Sequence, residues 1–224
     1  MEKIKQFFWE NRRILIISVS IVLFLIIVYS LASNQIQAFD EKVYSFFRPM
    51  ISGQVTILFR VITATGGAVF LVVFTLLLVL FRKEKITRIA IPLNLVLVTL
   101  LNVVIKEIAR RPRPVDIGII EEIGFSFPSA HAMVNTAFYG FLIYLIFCNE
   151  KNKTKRNILC ISLTLLILGI CSSRIYLGVH YASDVLAGMC LSLIYLAIFT
   201  KWYKGMKQKS FWVSARNWFK PFCK

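Results

Sequence analysis

The sequence predicts an all-α fold: a polytopic membrane helix bundle of six transmembrane helices. Three observations carry that expectation. Of the 224 residues, 58% are hydrophobic and 17% charged, with mean hydropathy +0.71, whereas a soluble domain holds about 45–50% apolar and about 25% charged residues. The apolar excess is gathered into long runs. Lys and Arg fall in short clusters between those runs instead of forming one patch.

A helix needs about 20 apolar residues to cross the hydrocarbon core. Runs of that order lie at 14–32, 61–81, 89–108, 131–148, 157–175 and 184–202, with a basic tail over 203–224. They exceed the length of a barrel strand, so they read as helices. Lys3, Lys5, Arg12 and Arg13 precede the first run as in a secretory signal. Its apolar core is longer than the usual 7–15 residues, so it is expected to be a retained helix. The second run is preceded by Ile51, Val55, Leu58, Phe59 and Ile62 at helical spacing, and Thr65-Gly66-Gly67 interrupts it. Residues 50–63 are therefore either an amphipathic helix on the membrane surface or a helix packed beside the bundle. No linker or repeat divides the chain, which reads as one membrane domain, 1–224.

Loop charge sets the orientation. The N-terminus, the 82–88 and 149–156 connections and the tail from Lys201 onward fall on one side and hold 19 of the 27 Lys and Arg. That side is expected to be cytoplasmic and the membrane to be the plasma membrane. The loops at 33–54, 109–130 and 176–183 then face outward. From Met206 onward Lys and Arg alternate with aromatic residues, and Phe211, Ala215, Trp218, Phe219 and Phe222 would share a helical face. This reads either as an interfacial helix drawn to anionic lipid or as a solvated tail with aromatic anchors. The net charge of +16, dispersed in this way, argues for the bilayer and against nucleic acid. Five cysteines show neither metal-ligand spacing nor a disulfide framework, and Cys160, Cys171 and Cys190 lie in the interior of apolar runs, where Cys behaves as a small hydrophobe.

Three outward segments carry the polar chemistry. The third helix ends in Lys106-Glu-Ile-Ala-Arg110-Arg111-Pro112-Arg113-Pro114. The prolines should stop it near Arg110, so a turn brings Lys106 and Arg113 together. A cluster this basic on the outer side is not where a stop-transfer signal belongs. The fourth helix opens with Phe127-Pro128-Ser129-Ala130-His131. Ser129 can cap it, and the same helix start can hold phosphate. The fifth and sixth helices are joined by Ser173-Arg174-Ile-Tyr-Leu-Gly178-Val-His180-Tyr-Ala-Ser-Asp184. Asp184, a turn beyond His180, can fix one imidazole nitrogen and aim the other.

The chain has only two histidines, and both fall in these segments. Lys106, Arg113 and Arg174 together with a hydroxyl and a helix N-terminus suit a phosphate dianion, at about 1.5–3 kcal/mol for each charge-assisted hydrogen bond. No carboxylate cluster offers itself to Mg²⁺ or Ca²⁺, and two His with one Asp make a poor zinc site, so no metal or other cofactor is expected.

Lys-x6-Arg-Pro at 106–114, Pro-Ser-x-His at 128–131 and Ser-Arg-x5-His-x3-Asp at 173–184 match, in order, the signature blocks of the type 2 phosphatidic acid phosphatase (PAP2) superfamily. The likeness runs from about residue 40 to 200 and resembles the bacterial six-helix members. It implies a PAP2/haloperoxidase-like core and a metal-independent phosphatase. Lys106, Arg113 and Arg174 would hold the phosphate oxygens, with Ser129 and a backbone N–H near Ala130 assisting. His180 would attack phosphorus to form a phosphohistidine, with Asp184 orienting it. His131 would protonate the leaving oxygen and then activate water. The family usually has Gly where Ala130 stands, so a methyl there is expected to tune phosphate affinity. Arg110 and Arg111 are extra cations, available to a second phosphate or to lipid headgroups.

The resemblance implies a lipid phosphate as substrate, typically undecaprenyl diphosphate or phosphatidylglycerophosphate, cleaved at the extracytoplasmic face. Phosphatidate, lipid A phosphate or a soluble ester would suit the same site. An anion transporter would place charges near the bilayer midplane, and the runs are nearly free of them apart from Arg60. An inactive lipid-binding relative would be expected to lack a histidine. The sequence is silent on oligomeric state.

Overall fold

The computed structural model describes residues 2–115 and 117–219, with side chains for 11, 13–115 and 117–209. Helices dominate, and no strand occurs among these residues. In order they are α1 (Glu2–Ala32), α2 (Gln37–Phe47), α3 (Gly53–Ala64), α4 (Ala68–Phe81), α5 (Lys85–Ala109), α6 (Ala130–Asn149), α7 (Lys153–Tyr176) and α8 (Ala182–Phe219), with a 3₁₀ turn at Arg48–Met50. The apolar parts of α1, α5, α6, α7 and α8 are each long enough to cross a bilayer, and α3 and α4 together make a sixth, broken crossing.

Helix α6 is the centre of the bundle. Ala132, Met133, Ala137, Phe138, Tyr139 and Phe141 are buried around it against α5, α7 and α8. Close approach to α8 depends on Gly188, where a Cβ would stand 3.0 Å from the Ser129 carbonyl. Helix α1 packs on α8 and leaves Val19, Val22 and Leu25 outward. Such a belt of exposed aliphatic side chains suits lipid, not water.

The second apolar run departs from a single helix over 61–81. It breaks at Thr65–Gly67, where α3 and α4 meet at 47°. A break inside the membrane frees backbone carbonyls that need partners, and α6 supplies them. Asn135 Nδ2 donates to Gly66 O at 3.0 Å, and Tyr139 Oη donates to Thr65 O at 2.7 Å. Gly66 lies so close that a Cβ would be 2.6 Å from Asn135 Nδ2. Of the two readings of residues 50–63, the structure takes the second, because α3 packs along α7. Phe59 stacks on Tyr176 at 4.3 Å, and Thr56 shares a hydrogen bond with its hydroxyl. The face formed by Phe211 to Phe222 lies outside the residues whose side chains are described.

Helix α5 ends at Ala109 with Arg110 in the left-handed conformation, φ 47°, so the chain turns just before Pro112. Gly178, φ 68°, makes the corresponding turn between α7 and α8, and a Cβ there would lie 2.1 Å from the Ile117 carbonyl oxygen. Gly178→Ala is therefore expected to destabilise the protein by more than the about 1–2 kcal/mol of a left-handed residue alone. A thermal unfolding midpoint in detergent that is unchanged in this variant would contradict the assigned turn.

Candidate active site

The turn after α5, the start of α6, the end of α7 and the start of α8 meet at one end of the bundle. Lys106, Arg113, Ser129, His131, Arg174, His180 and Asp184 all lie on or beside these segments. His180 is 3% exposed and Asp184 fully buried. His180 Nδ1 is 3.6 Å from Asp184 Oδ2. Ser126 closes that gap: its hydroxyl donates to Asp184 Oδ2 at 2.5 Å and lies 3.2 Å from His180 Nδ1. The other ring nitrogen, Nε2, is 3.1 Å from Arg113 Nη1. A guanidinium only donates, so Nε2 carries the lone pair and Nδ1 the proton, which points at Ser126 and Asp184. Burial, with Arg113 and Arg174 nearby, lowers the His180 pKa to about 4 against the opposing pull of Asp184. A lowered pKa favours the unprotonated imidazole and leaves Nε2 with a free lone pair.

Of the three cations, Arg113 touches that nitrogen, and Arg174 lies within electrostatic reach of the ring. Arg113 donates to the carbonyls of Val179 at 2.9 Å, Gly124 at 3.0 Å and Ile123 at 3.2 Å. Arg174, 1% exposed, donates to Thr63 Oγ1 on α3 at 2.9 Å. Its Nε has no partner among the described residues. Lys106 Nζ donates to Phe125 O and lies within electrostatic reach of Arg113, Arg174 and Asp184. His131 is half-buried at the start of α6, and its electrostatic neighbours are Arg174, Glu122, His180 and Arg113. Ser129 is fully buried, its Oγ accepting from Ala132 N at 3.5 Å as the α6 cap, while Ala130 lies at the helix start beside His131.

Several participants were not read from the sequence. Glu122, in the loop after Arg113, ion-pairs with Arg174 and, at 3.3 Å, with Arg113. Burial alone would raise its carboxyl pKa, but Arg174, His131 and Arg113 overcome that and hold it below the usual range. It thus occupies two of the cations that suit a phosphate. Ser126 could have been suspected as a hydroxyl two residues before the Pro128-Ser129-Ala130-His131 segment. Asp40 and Glu122 carry no local signal. Arg110 is exposed, 3.9 Å from Glu107, whereas Arg111 turns inward to Asp40 and Asp184.

Beside His131 an apolar cavity of about 420 Å³ runs between α4, α5 and α6, walled by Leu71, Leu95, Val134 and Ala130 among others. Val72, Val96 and Leu100 also line it, each more than half exposed on the outer surface of the bundle. The cavity therefore opens sideways, toward lipid. Among the described residues no group of three or more His, Cys, Asp or Glu could hold a metal ion.

The model of the PAP2 superfamily matches residues 87–207, more than half of the chain, including Lys106, Arg113, Ser129, Ala130, His131, Arg174, His180 and Asp184. The chain belongs to the PAP2 superfamily. It is a multi-pass membrane phosphatase, a phosphoric ester hydrolase of the PAP2 type. Phosphatidylglycerophosphatase B of Bacillus subtilis is 29% identical over 177 residues, covering 76% of this chain and 86% of that protein. The crystal structure of a transmembrane PAP2 type phosphatidylglycerolphosphate phosphatase from the same organism superposes with a TM-score of 0.76 at 26% identity, over 86% of this chain and 96% of that one. Sphingosine-1-phosphate phosphatase 1 of Rattus norvegicus is 33% identical over 46% of this chain and 25% of its own length. LpxE of Aquifex aeolicus shares the fold, with a TM-score of 0.57 at 24% identity over 70% of this PAP2 chain and 91% of its own.

Proposed function

We propose that this PAP2 phosphatase removes phosphate from a lipid phosphomonoester or pyrophosphate at the extracytoplasmic face, through a phosphohistidine on His180. Phosphatidylglycerophosphate, the substrate class named for the Bacillus subtilis relative, is the first candidate, and undecaprenyl diphosphate the second. The observation that carries the lipid reading is the sideways apolar cavity that begins at His131. It offers an aliphatic chain a path from the bilayer to the catalytic end, and its volume lies within the usual range for ligand sites. The basic clusters on the opposite loops support the outward placement of the site.

The chemistry follows from the two ring nitrogens of His180. The phosphate oxygens bind Lys106, Arg113 and Arg174, displacing Glu122 from the two guanidiniums. Nε2 attacks phosphorus while the bond to the lipid oxygen breaks, and His131 gives that oxygen a proton. The developing imidazolium is stabilised by Asp184, directly and through Ser126. His131, now unprotonated, takes a proton from water as that water attacks phosphorus, which returns Nε2 its electron pair and releases inorganic phosphate.

A phosphate-release panel tests the reading. Purified protein in detergent is expected to act on phosphatidylglycerophosphate or undecaprenyl diphosphate with kcat/KM at least about tenfold above that for a short soluble ester, since uptake of the chain into the cavity adds binding energy. EDTA is expected to leave the rate unchanged. A preference for the soluble ester, or loss of activity in EDTA, would sink the proposal.

A further inference from the structure

Arg111 sits one residue from the proline that stops α5 and has no place among the residues that surround the phosphate. Its side chain is instead held on every side. Nη1 donates to Asp184 Oδ1 at 2.6 Å and to Ser183 Oγ at 2.8 Å, and Nη2 donates to Asp40 Oδ2 at 2.8 Å. The guanidinium lies 4.0 Å over the Tyr181 ring, and the side chain is 10% exposed. Asp40, on α2, is 4% exposed and takes two further bonds from α8: Ser183 N to Oδ1 and Ser183 Oγ to Oδ2, both 2.8 Å. The Arg111 carbonyl accepts the Ser126 N–H at 2.8 Å. One residue thus fixes both groups that face His180 Nδ1: the carboxylate through its side chain and the hydroxyl through its backbone.

The geometry points to Arg111 and Asp40 as a positioning pair for the His180–Asp184 couple, and not as ligands of the phosphate. The pair rests on the phosphatase reading above. Its logic is charge sharing. A guanidinium alone against Asp184 would draw that carboxylate's charge away from His180. Asp40 takes half of the guanidinium, so Oδ1 of Asp184 is tethered while Oδ2 stays committed to Ser126, the Tyr181 N–H at 3.0 Å and His180. Without Arg111, two buried carboxylates would share one small space with only Ser183 between them, a repulsive arrangement. A planar fork with two donor edges suits this task, and a Lys ammonium does not.

The test is steady-state kinetics on the full-length protein in detergent, with p-nitrophenyl phosphate as substrate and inorganic phosphate as inhibitor. Arg111→Gln and Arg111→Lys are expected to lower kcat by about 10- to 100-fold and Asp40→Asn by a smaller factor. KM and the phosphate Ki are expected to stay within about threefold in all three. The deciding measurement is the double mutant. Asp184→Asn alone is expected to lower kcat on the order of 10²-fold, less than the roughly 10⁴ of the same swap in a Ser–His–Asp triad, because Ser126 still orients Nδ1. Adding Arg111→Gln to Asp184→Asn is expected to lower kcat by less than about threefold more, since the two act as one unit. Fully multiplicative losses, or a phosphate Ki raised tenfold with kcat intact, would overturn the pair. If Arg111→Gln unfolds, Asp40→Asn on the Asp184→Asn background reads the same coupling. A wild-type chain inert on every ester would overturn the function and the pair together. An active enzyme with wild-type kcat in all three single variants would overturn the pair alone.

Discussion

His180→Gln is expected to abolish phosphate release, lowering kcat by roughly 10⁴–10⁶-fold, as removal of a nucleophile does elsewhere. Gln can occupy much of the same volume and keep a hydrogen bond to Ser126 or Asp184, so the fold should survive, but its amide cannot form a bond to phosphorus that turns over. The loss should extend to the intermediate. Wild-type protein quenched during turnover of a radiolabelled phosphate ester should carry an acid-labile, alkali-stable phosphate, and the variant none. The wild-type pH profile should agree. With its pKa lowered to about 4, His180 is protonated only in acid and offers its lone pair throughout the neutral range. The acid limb of kcat/KM, corrected for the ester's own ionisation, should therefore fall near pH 4 and not near the usual imidazole value of about 6.5. A His180→Gln protein within tenfold of wild-type activity would remove the covalent route altogether.

The helical bundle was legible because length and hydropathy suffice for it: a run of about 20 apolar residues has few alternatives in a membrane. Two pairs of signature residues were legible because a short stretch of chain joins their members: Lys106 with Arg113 across a proline turn and His180 with Asp184 across one helical turn. What could not be read are the partners that tertiary structure supplies. Asp40 meets Arg111 across 71 positions, and Thr63 meets Arg174 across 111. Helix α2 was not foreseen because it is short and carries no long apolar run, yet its Asp40 reaches the α8 N-terminus. The break at Thr65–Gly67 showed in the sequence as glycines, but its compensation by Asn135 and Tyr139 did not, since polar residues inside an apolar run give no direction for their side chains. Arg111 illustrates the limit well. As a cation in a basic outer segment it looked free for phosphate or lipid headgroups, and only the buried carboxylates on α2 and α8 claim it.

His131→Asn should separate the two halves of the reaction. The ring stands between the cations and the apolar cavity, where the lipid oxygen would leave and the water would enter. An alkoxide is a poor leaving group and must be protonated as the P–O bond breaks, so loss of that acid is expected to lower turnover of a lipid phosphate by about 10²–10⁴-fold. A nitrophenolate leaves without a proton. With p-nitrophenyl phosphate the variant should still phosphorylate His180, since Nε2, the cations and Asp184 are untouched. It should then stall, because no base activates water. The expected signature is a burst of nitrophenolate, equal to the enzyme present, followed by a slow steady state and a phosphoenzyme that persists. Equal losses on both esters without a burst would mean that His131 acts before the covalent step alone, by holding phosphate or shaping the site, and the base that activates water would have to be sought elsewhere.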